Sequence, residues 1–267
     1  MTMTSKKIEF APTTDQDHLI TPWANPEKSS FHDLVLKPAF VTRRFKFPLG
    51  AATWFRILPP LPESKKGWML GINVLKYGGG QHVHARSVKA GGKSVFDLAY
   101  AWLRENRPGD LFGKSNMAGI RLLPSPVSVF WILVEEGGKT VARLVVASGY
   151  DGSRGGTPGY GHQILRATQE LDEDGRLVAK PAHPTEGVQL CVEKSQPPGA
   201  RYPSYALRVG RTPAPVDQFI ARMDPDECAA LTPLEDVVHL PTADEEWSIL
   251  EKVIGTETAA KIREAQA

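Results

Sequence analysis

The sequence predicts an α+β protein, mainly β, with helices inserted between its strands. Apolar and polar residues alternate in short runs, and turn residues close each run. The 267 residues include 24 glycines and 22 prolines, which favours many turns over long helices. Charge is also unevenly divided. Residues 1–215 hold 28 Lys/Arg against 18 Asp/Glu, whereas residues 216–267 hold 4 against 12. From Asp224 to Glu251 there are nine acids and no Lys or Arg. The chain therefore divides into an arm at 1–30, a body at 31–215 and an acidic, partly helical region at 216–267.

Residues 1–30 are polar and lack periodicity, so they read as a flexible arm. Ala52 to Leu58 is the first strand. Phe55 and Ile57 face one way, Trp54, Arg56 and Leu58 the other, and Pro59-Pro60 stops it. After the basic turn Lys65-Lys66-Gly67, Trp68 to Leu75 is a second strand with Trp68, Leu70, Ile72 and Val74 on one face. Lys76 and Tyr77 lead into a three-glycine turn, followed by the alternating His82, His84 and Arg86. A small inserted subdomain at about 78–117 carries a helix from Ser94 to Arg107. Ser94 caps it, Asp97 completes a capping box, and Phe96, Ala99, Trp102 and Leu103 form the buried stripe.

Ala118 to Leu123 reads as a strand carrying Arg121. Val127 to Glu135 is apolar on both faces, the pattern of a central strand, and Gly137-Gly138 turns it into Thr140 to Ala147 as a hairpin. Gly149 to Gly161 is a flexible loop, His162 to Leu171 a short helix, Asp172 to Gly175 a turn and Gly187 to Glu193 a strand. Lys194 to Arg211 then runs through a Pro-Pro-Gly hinge into an alternating strand. In the tail, Thr242 to Glu245 is a capping box for an amphipathic helix with Trp247, Leu250 and Ile254, stopped at Gly255. Short strands with inserted helices suggest a small closed or half-open barrel. An oligonucleotide-binding (OB) barrel fits the strand count, and periodicity alone equally permits a jelly roll.

Two cysteines, Cys191 and Cys228, cannot build a disulfide framework or a four-thiolate metal site, which fits a reducing cytoplasm. The longest apolar run, Val127 to Val134, is far short of a membrane span, and no secretory signal is visible in residues 1–30. The glycine loop lacks the Gly-Lys-Ser/Thr ending of a phosphate-binding loop. No Gly-x-Ser-x-Gly elbow occurs. His82 and His84 share a strand face, the spacing of a metal-dependent jelly-roll enzyme, but a metal needs further ligands. A structural phage protein is the other rival reading.

What remains is a set of cations and aromatics on strands and turns: Arg56, Lys65, Lys66, Lys76, Tyr77, Arg86, Arg121, Trp131, Arg143, Lys194, Arg201, Tyr202, Tyr205 and Arg208. Cations suit backbone phosphates and aromatic faces suit unstacked bases, so the set points to single-stranded nucleic acid. Trp131 is its weakest member, because a tryptophan in a central strand is more often core. Tyr205 shares its strand face with Leu207 and Val209, which also allows it a core role.

Phe55-Arg56-Ile57-Leu58-Pro59-Pro60 resembles the opening strand of the phage helix-destabilising single-stranded-DNA-binding proteins, the gene-32-protein type. The order that follows is similar too: an aromatic strand with a glycine turn (Trp68 to Gly80), an inserted helix, the strand Ser128 to Val134, a hairpin, and two aromatics three apart (Tyr202 and Tyr205) before an acidic end. The resemblance implies a non-enzymatic, sequence-tolerant protein with an OB fold that coats displaced strands in DNA replication, recombination or repair. It implies stacking by Tyr202 and Tyr205 and phosphate contacts by Arg56, Lys76, Arg121 and Arg208. Expected partners are single-stranded DNA, replication or recombination proteins through residues 224–251, and further copies of the chain along DNA, with no membrane and no cofactor. Expected localisation is the cytoplasm, that of a bacterial host if the chain is phage-encoded. The chain departs from the family pattern in having no cysteine between residues 70 and 120, so no zinc is expected. Ser5-Lys6-Lys7 matches the family's N-terminal cooperativity cluster only loosely.

Overall fold

The computed structural model describes residues 35–65, 67–77, 80–83, 94–111, 125–149, 158–171, 179–200 and 203–266. The expected arm at 1–30, the strand at Ala118 to Leu123, the turn at Asp172 to Gly175 and most of the glycine loop lie outside them. In chain order the elements are α1 (Pro38–Val41), β1 (Ala52–Ile57), β2 (Leu70–Tyr77), β3 (Gly80–Val83), α2 (Val95–Asn106), α3 (Pro108–Leu111), β4 (Ser125–Glu136) and β5 (Lys139–Ser148). There follow α4 (Tyr160–Ala167), β6 (Val188–Ser195), β7 (Ser204–Pro213), α5 (Asp217–Ile220), α6 (Pro225–Ala229), α7 (Leu234–Val237), α8 (Ala243–Ile254) and α9 (Thr256–Glu264).

Among the described residues the strands make one antiparallel seven-stranded sheet, ordered β3-β2-β4-β1-β6-β7 with β5 beside β4. β4 organises it. Its first half pairs with β2, from Val74↔Ser125 to Leu70↔Val129, and its second half with β1 through Arg56↔Leu133 and Ile57↔Ile132. Its other edge takes the whole of β5, entered through Gly137 and Gly138 at φ 58° and 80°. Two positive φ values in succession are what a two-residue hairpin turn requires. β1 also changes partner, giving residues 52–55 to β6 and 56–57 to β4.

Of the closed or half-open barrel expected, the closed form is not made among the described residues. β5 and β7 are not paired, and α4 lies against both. The Tyr160 hydroxyl donates to the Val146 carbonyl on β5 (3.1 Å), and the Gln163 side chain donates to the Tyr205 carbonyl on β7 (2.9 Å). Residues 43–45 occupy the outer edge of β5, where Phe45 N donates to Leu144 O (2.8 Å) and Leu144 N to Arg43 O (2.8 Å). Phe47 follows into the interior, its ring 5.7 Å from Phe55 and 5.4 Å from Tyr160. A helix and an aromatic segment thus lie between β5 and β7, and the architecture is an α+β sheet not closed into a barrel.

The apolar alternation of β4 supplies both faces with core. Phe130, Ile132 and Val134 join Phe55, Ile57, Leu190, Val192, Tyr160 and Ile164 on the inner side. Val127, Val129, Trp131 and Leu133 point outward, where the C-terminal region covers them with Val216, Phe219, Met223, Leu234, Val237 and Val238. The region beyond Pro215, which its charge marks as an appendage, is therefore a second layer of the body. Lys37 N donates to Val237 O (2.9 Å) and His239 N to Val35 O (2.9 Å), so the first described residues are tied to it as well.

The inserted helix has the same partner. α2 is closed at its N-terminus by the expected capping box, and it buries Val95, Phe96, Ala99 and Leu103 against Ile249 and Leu250 of α8 and Ile262 of α9. Glu246 is buried, and its carboxylate accepts the Val95 N–H at 3.0 Å. An anion there faces the positive end of the helix and satisfies one of its unpaired donors.

A chain ending at Pro215 is expected to lose cooperative thermal unfolding, because both the outer face of β4 and the stripe of α2 would be bared. Within the full chain, Phe219→Ala is expected to cost about 3–5 kcal/mol in denaturant unfolding. A truncated chain that melts as sharply as the parent would contradict this layering.

Candidate nucleic-acid interface

Strand polarity fixes which residues of the β1–β6–β7 half share a face. Trp54, Cys191 and Arg208 form one cross-strand row, and Ala52, Glu193 and Ala206 the next. The opposite face carries Phe55 and Leu190 in one row and Thr53, Val192 and Leu207 in another, and it looks into the core. The outer rows continue the surface that the C-terminal region covers over β4. Here that cover stops. Ala52, Trp54, Glu193, Ala206 and Arg208 are exposed, while Cys191 between them is buried.

The stretch Lys194 to Arg211 is a hairpin, as its hinge and alternation predict: β6, a turn, and β7. Among the described strands β7 is the last in the sheet, and it carries Arg208 and Arg211 with no acid. Lys194 sits opposite Tyr205, its ammonium 6.0 Å from the ring centre and 3.3 Å from the Phe47 carbonyl. Arg208 donates to the Glu193 carboxylate across the strand pair at 2.8 Å. Arg201 and Tyr202 lie outside the described residues, as do Lys66, Arg86 and Arg121. Lys76 and Tyr77 pair with Gln81 and Gly80 at the end of β2.

Arg56 does not contact solvent and cannot serve as a phosphate contact. Its guanidinium is fully buried and donates to the carbonyls of Ala214 (2.8 Å), Ile57 (2.8 Å), Pro181 and His183. Burial lowers its pKa to about 10, still far above neutral, so the group is a buried cation held by backbone dipoles. Gly187 faces it: a Cβ there would overlap the guanidinium and meet its Cζ at 2.5 Å. Trp131 is likewise core, and its indole N–H donates to the Thr232 carbonyl (2.9 Å) of the C-terminal layer.

Two further candidate residues stand at that layer. Arg143 pairs with Glu136 (2.6 Å) and lies 3.8 Å from Glu227, which also holds Arg43 at 3.0 Å. The exposed Lys65 gives its backbone N–H to Glu235 at 2.6 Å. Both stand with the acidic region rather than on the open face. Tyr205 is half-buried, its ring 4.6 Å from that of Tyr160. Of the described candidates, the hairpin carries Lys194 and Tyr205 on the side that faces the core and Arg208 on the outer side.

The residue missed by sequence reasoning is Trp54. Its alternation with Phe55 places it on the outer face, and only its 49% exposure distinguishes it from a core tryptophan. His82 lies on β3 and His84 outside the described residues, among which no group of three or more His, Cys, Asp or Glu could hold a metal ion. No described helix is long and apolar enough to cross a membrane. No family model and no curated protein matches this chain.

Two measurements check the buried groups. Arg56→Ala and Gly187→Ala are both expected to destabilise the fold, the first by roughly 3–5 kcal/mol because several buried carbonyls lose their donor. A stability unchanged in Arg56→Ala would return that residue to the surface. Burial also raises the pKa of Tyr205 and of Tyr160, with Arg44 opposing in both cases. Their contribution to stability is complete below the unfolded tyrosine value of about 10 and is lost as pH rises through the native values. Denaturation midpoints should fall above that pH, and fall less in Tyr160→Phe.

Proposed function

We propose that this chain is a non-enzymatic, sequence-tolerant single-stranded-DNA-binding protein that coats displaced strands during replication, recombination or repair. The observation that carries the reading is the basic hairpin β6–β7, which borders a sheet face that the C-terminal layer leaves uncovered. Lys194, Arg208 and Arg211 lie on its strands, and Arg201 and Tyr202 stand in its turn by sequence. Such cations follow a phosphate backbone without reading its sequence. The body is proposed to be an OB-type fold, a partly open barrel whose opening here is filled by α4 and Phe47. Resemblance to the gene-32-protein type at Phe55 to Pro60 agrees with this, although Arg56 within that motif supports the fold and not the ligand.

The acidic region has two roles in this reading. Its apolar side completes the core, and its exposed acids, among them Asp226, Asp236, Asp244 and Glu245, offer a surface for replication or recombination proteins. An acidic surface beside a basic face also discourages nucleic acid from wrapping over the C-terminal layer.

Titrating the intrinsic tryptophan fluorescence with oligo-dT, oligo-rU and duplex at two salt concentrations tests the proposal. Binding to oligo-dT should weaken with salt, at a log–log slope of about −0.7 per neutralised phosphate. Absence of binding at low salt, or equal affinity for duplex, would sink it.

A further inference from the structure

An exposed tryptophan in the middle of a β-sheet needs a reason. Of the other described tryptophans, Trp68 and Trp131 are buried, Trp102 belongs to the stripe of α2, and Trp247 lies 4.6 Å beneath the Arg263 guanidinium. Trp54 alone among them is exposed, on a strand whose alternate residues are core. Its indole adds nothing to the inner cluster, and its apolar area in water is a standing cost.

Its surroundings suit a flat ligand with a negative backbone. Ala52 and Ala206, in the neighbouring row of the same face, present little bulk above the sheet. Arg208 lies two strands away in the same row as Trp54, roughly 10 Å by strand spacing, within reach of an arginine side chain and one nucleotide. The Arg208–Glu193 pair is exposed on both sides, at 57% and 49%, and such pairs hold weakly. The guanidinium can therefore exchange the carboxylate for a phosphate. Glu193 is the single acid on β1, β6 and β7, so once Arg208 turns from it no second carboxylate of these strands competes for the guanidinium. Aromatic faces accept any base, since every base has a π-face.

We infer that Trp54 is a base-stacking platform for single-stranded nucleic acid and that Arg208 takes the phosphate of the stacked nucleotide. The inference rests on the single-strand-binding reading above and names a contact within it.

The test compares the wild-type chain with Trp54→Ala, Trp54→Phe and Arg208→Ala for binding of oligo-dT and oligo-rU, after thermal melts have established folding. Trp54→Ala should weaken binding roughly 5- to 150-fold at an unchanged salt slope, because a stacking contact is lost and no phosphate contact with it. Trp54→Phe should keep most of the affinity and lose the largest part of the fluorescence quench. Arg208→Ala should reduce the salt slope by about 0.7. If the wild type binds and Trp54→Ala matches it, the platform is overturned while the single-strand reading stands. If the wild type does not bind, the reading itself falls, and the platform with it. Should Trp54→Ala fail to fold, Trp54→Phe decides: a quench as large as the wild type's would also overturn the assignment. Parallel losses with both oligomers would mark a stacking site indifferent to the 2′-hydroxyl, and unequal losses one that distinguishes DNA from RNA.

Discussion

The Arg56 guanidinium is a cation in the interior with no carboxylate among the partners found for it, held by the carbonyls of Ile57, Pro181, His183 and Ala214. These carbonyls come from three places in the chain: β1 itself, the approach to β6, and the exit from β7. A planar fork with several fixed donors can satisfy carbonyls in different directions at once, which a single ammonium cannot do. The residue stands where β1 leaves β6 for β4, so it ties the segments that flank the hairpin to the strand joining both halves of the sheet. Gly187 is the complementary constraint, since a side chain at that position would occupy the guanidinium's space.

The division of charge along the chain acquires a physical meaning from the layering. Acids of the C-terminal region do not hang free of the basic body. Glu227 reaches Arg43 and Arg143, Glu235 reaches Ser64 and the Lys65 N–H, and in return Arg222 of this region reaches Glu135. The exposed Arg222–Glu135 pair contributes little by itself, and the pairs of Glu227 are part-buried. Their joint effect is to set the acidic layer over β2, β4 and β5, with its apolar residues turned inward. Glu246 carries the same logic into the helical part, where an anion closes the start of α2.

Most of the secondary structure was legible because periodicity and capping are local signals. The two-faced apolar run of β4, the paired glycines of its hairpin and the Ser94 and Thr242 capping boxes all mark elements that form. What was not legible is which polar or aromatic residue faces water. Arg56 and Arg208 both sit on outward positions of short strands, yet one is roofed by residues 181–187 and 214, and the other is open. That difference comes from segments distant in sequence. Trp131 and Trp54 make the same point in reverse, for the first has a covering layer and the second does not. Whether the strands close on one another was likewise not legible: the helix at 160–167 and the aromatics at 45 and 47 come between β5 and β7, and strand counting does not reveal that.

A covering layer that stops part-way across a sheet creates a boundary, and the chemistry on its two sides differs. Over β4 the outer face is apolar and matched by Phe219, Met223 and Leu234. Over β6 and β7 the same side of the sheet carries Glu193, Arg208 and small residues, with Trp54 beside them. Had the layer extended further, Arg208 and Glu193 would be buried as an ion pair, at a desolvation cost that commonly exceeds their attraction. The polar rows are therefore costly to roof unless a covering segment brings acceptors as it does for Arg56, and they suit a ligand that brings its own charge. This makes the open half of the sheet a consequence of sequence choices at positions 193, 206 and 208, and it places the exposed indole at the margin where apolar and charged surfaces meet.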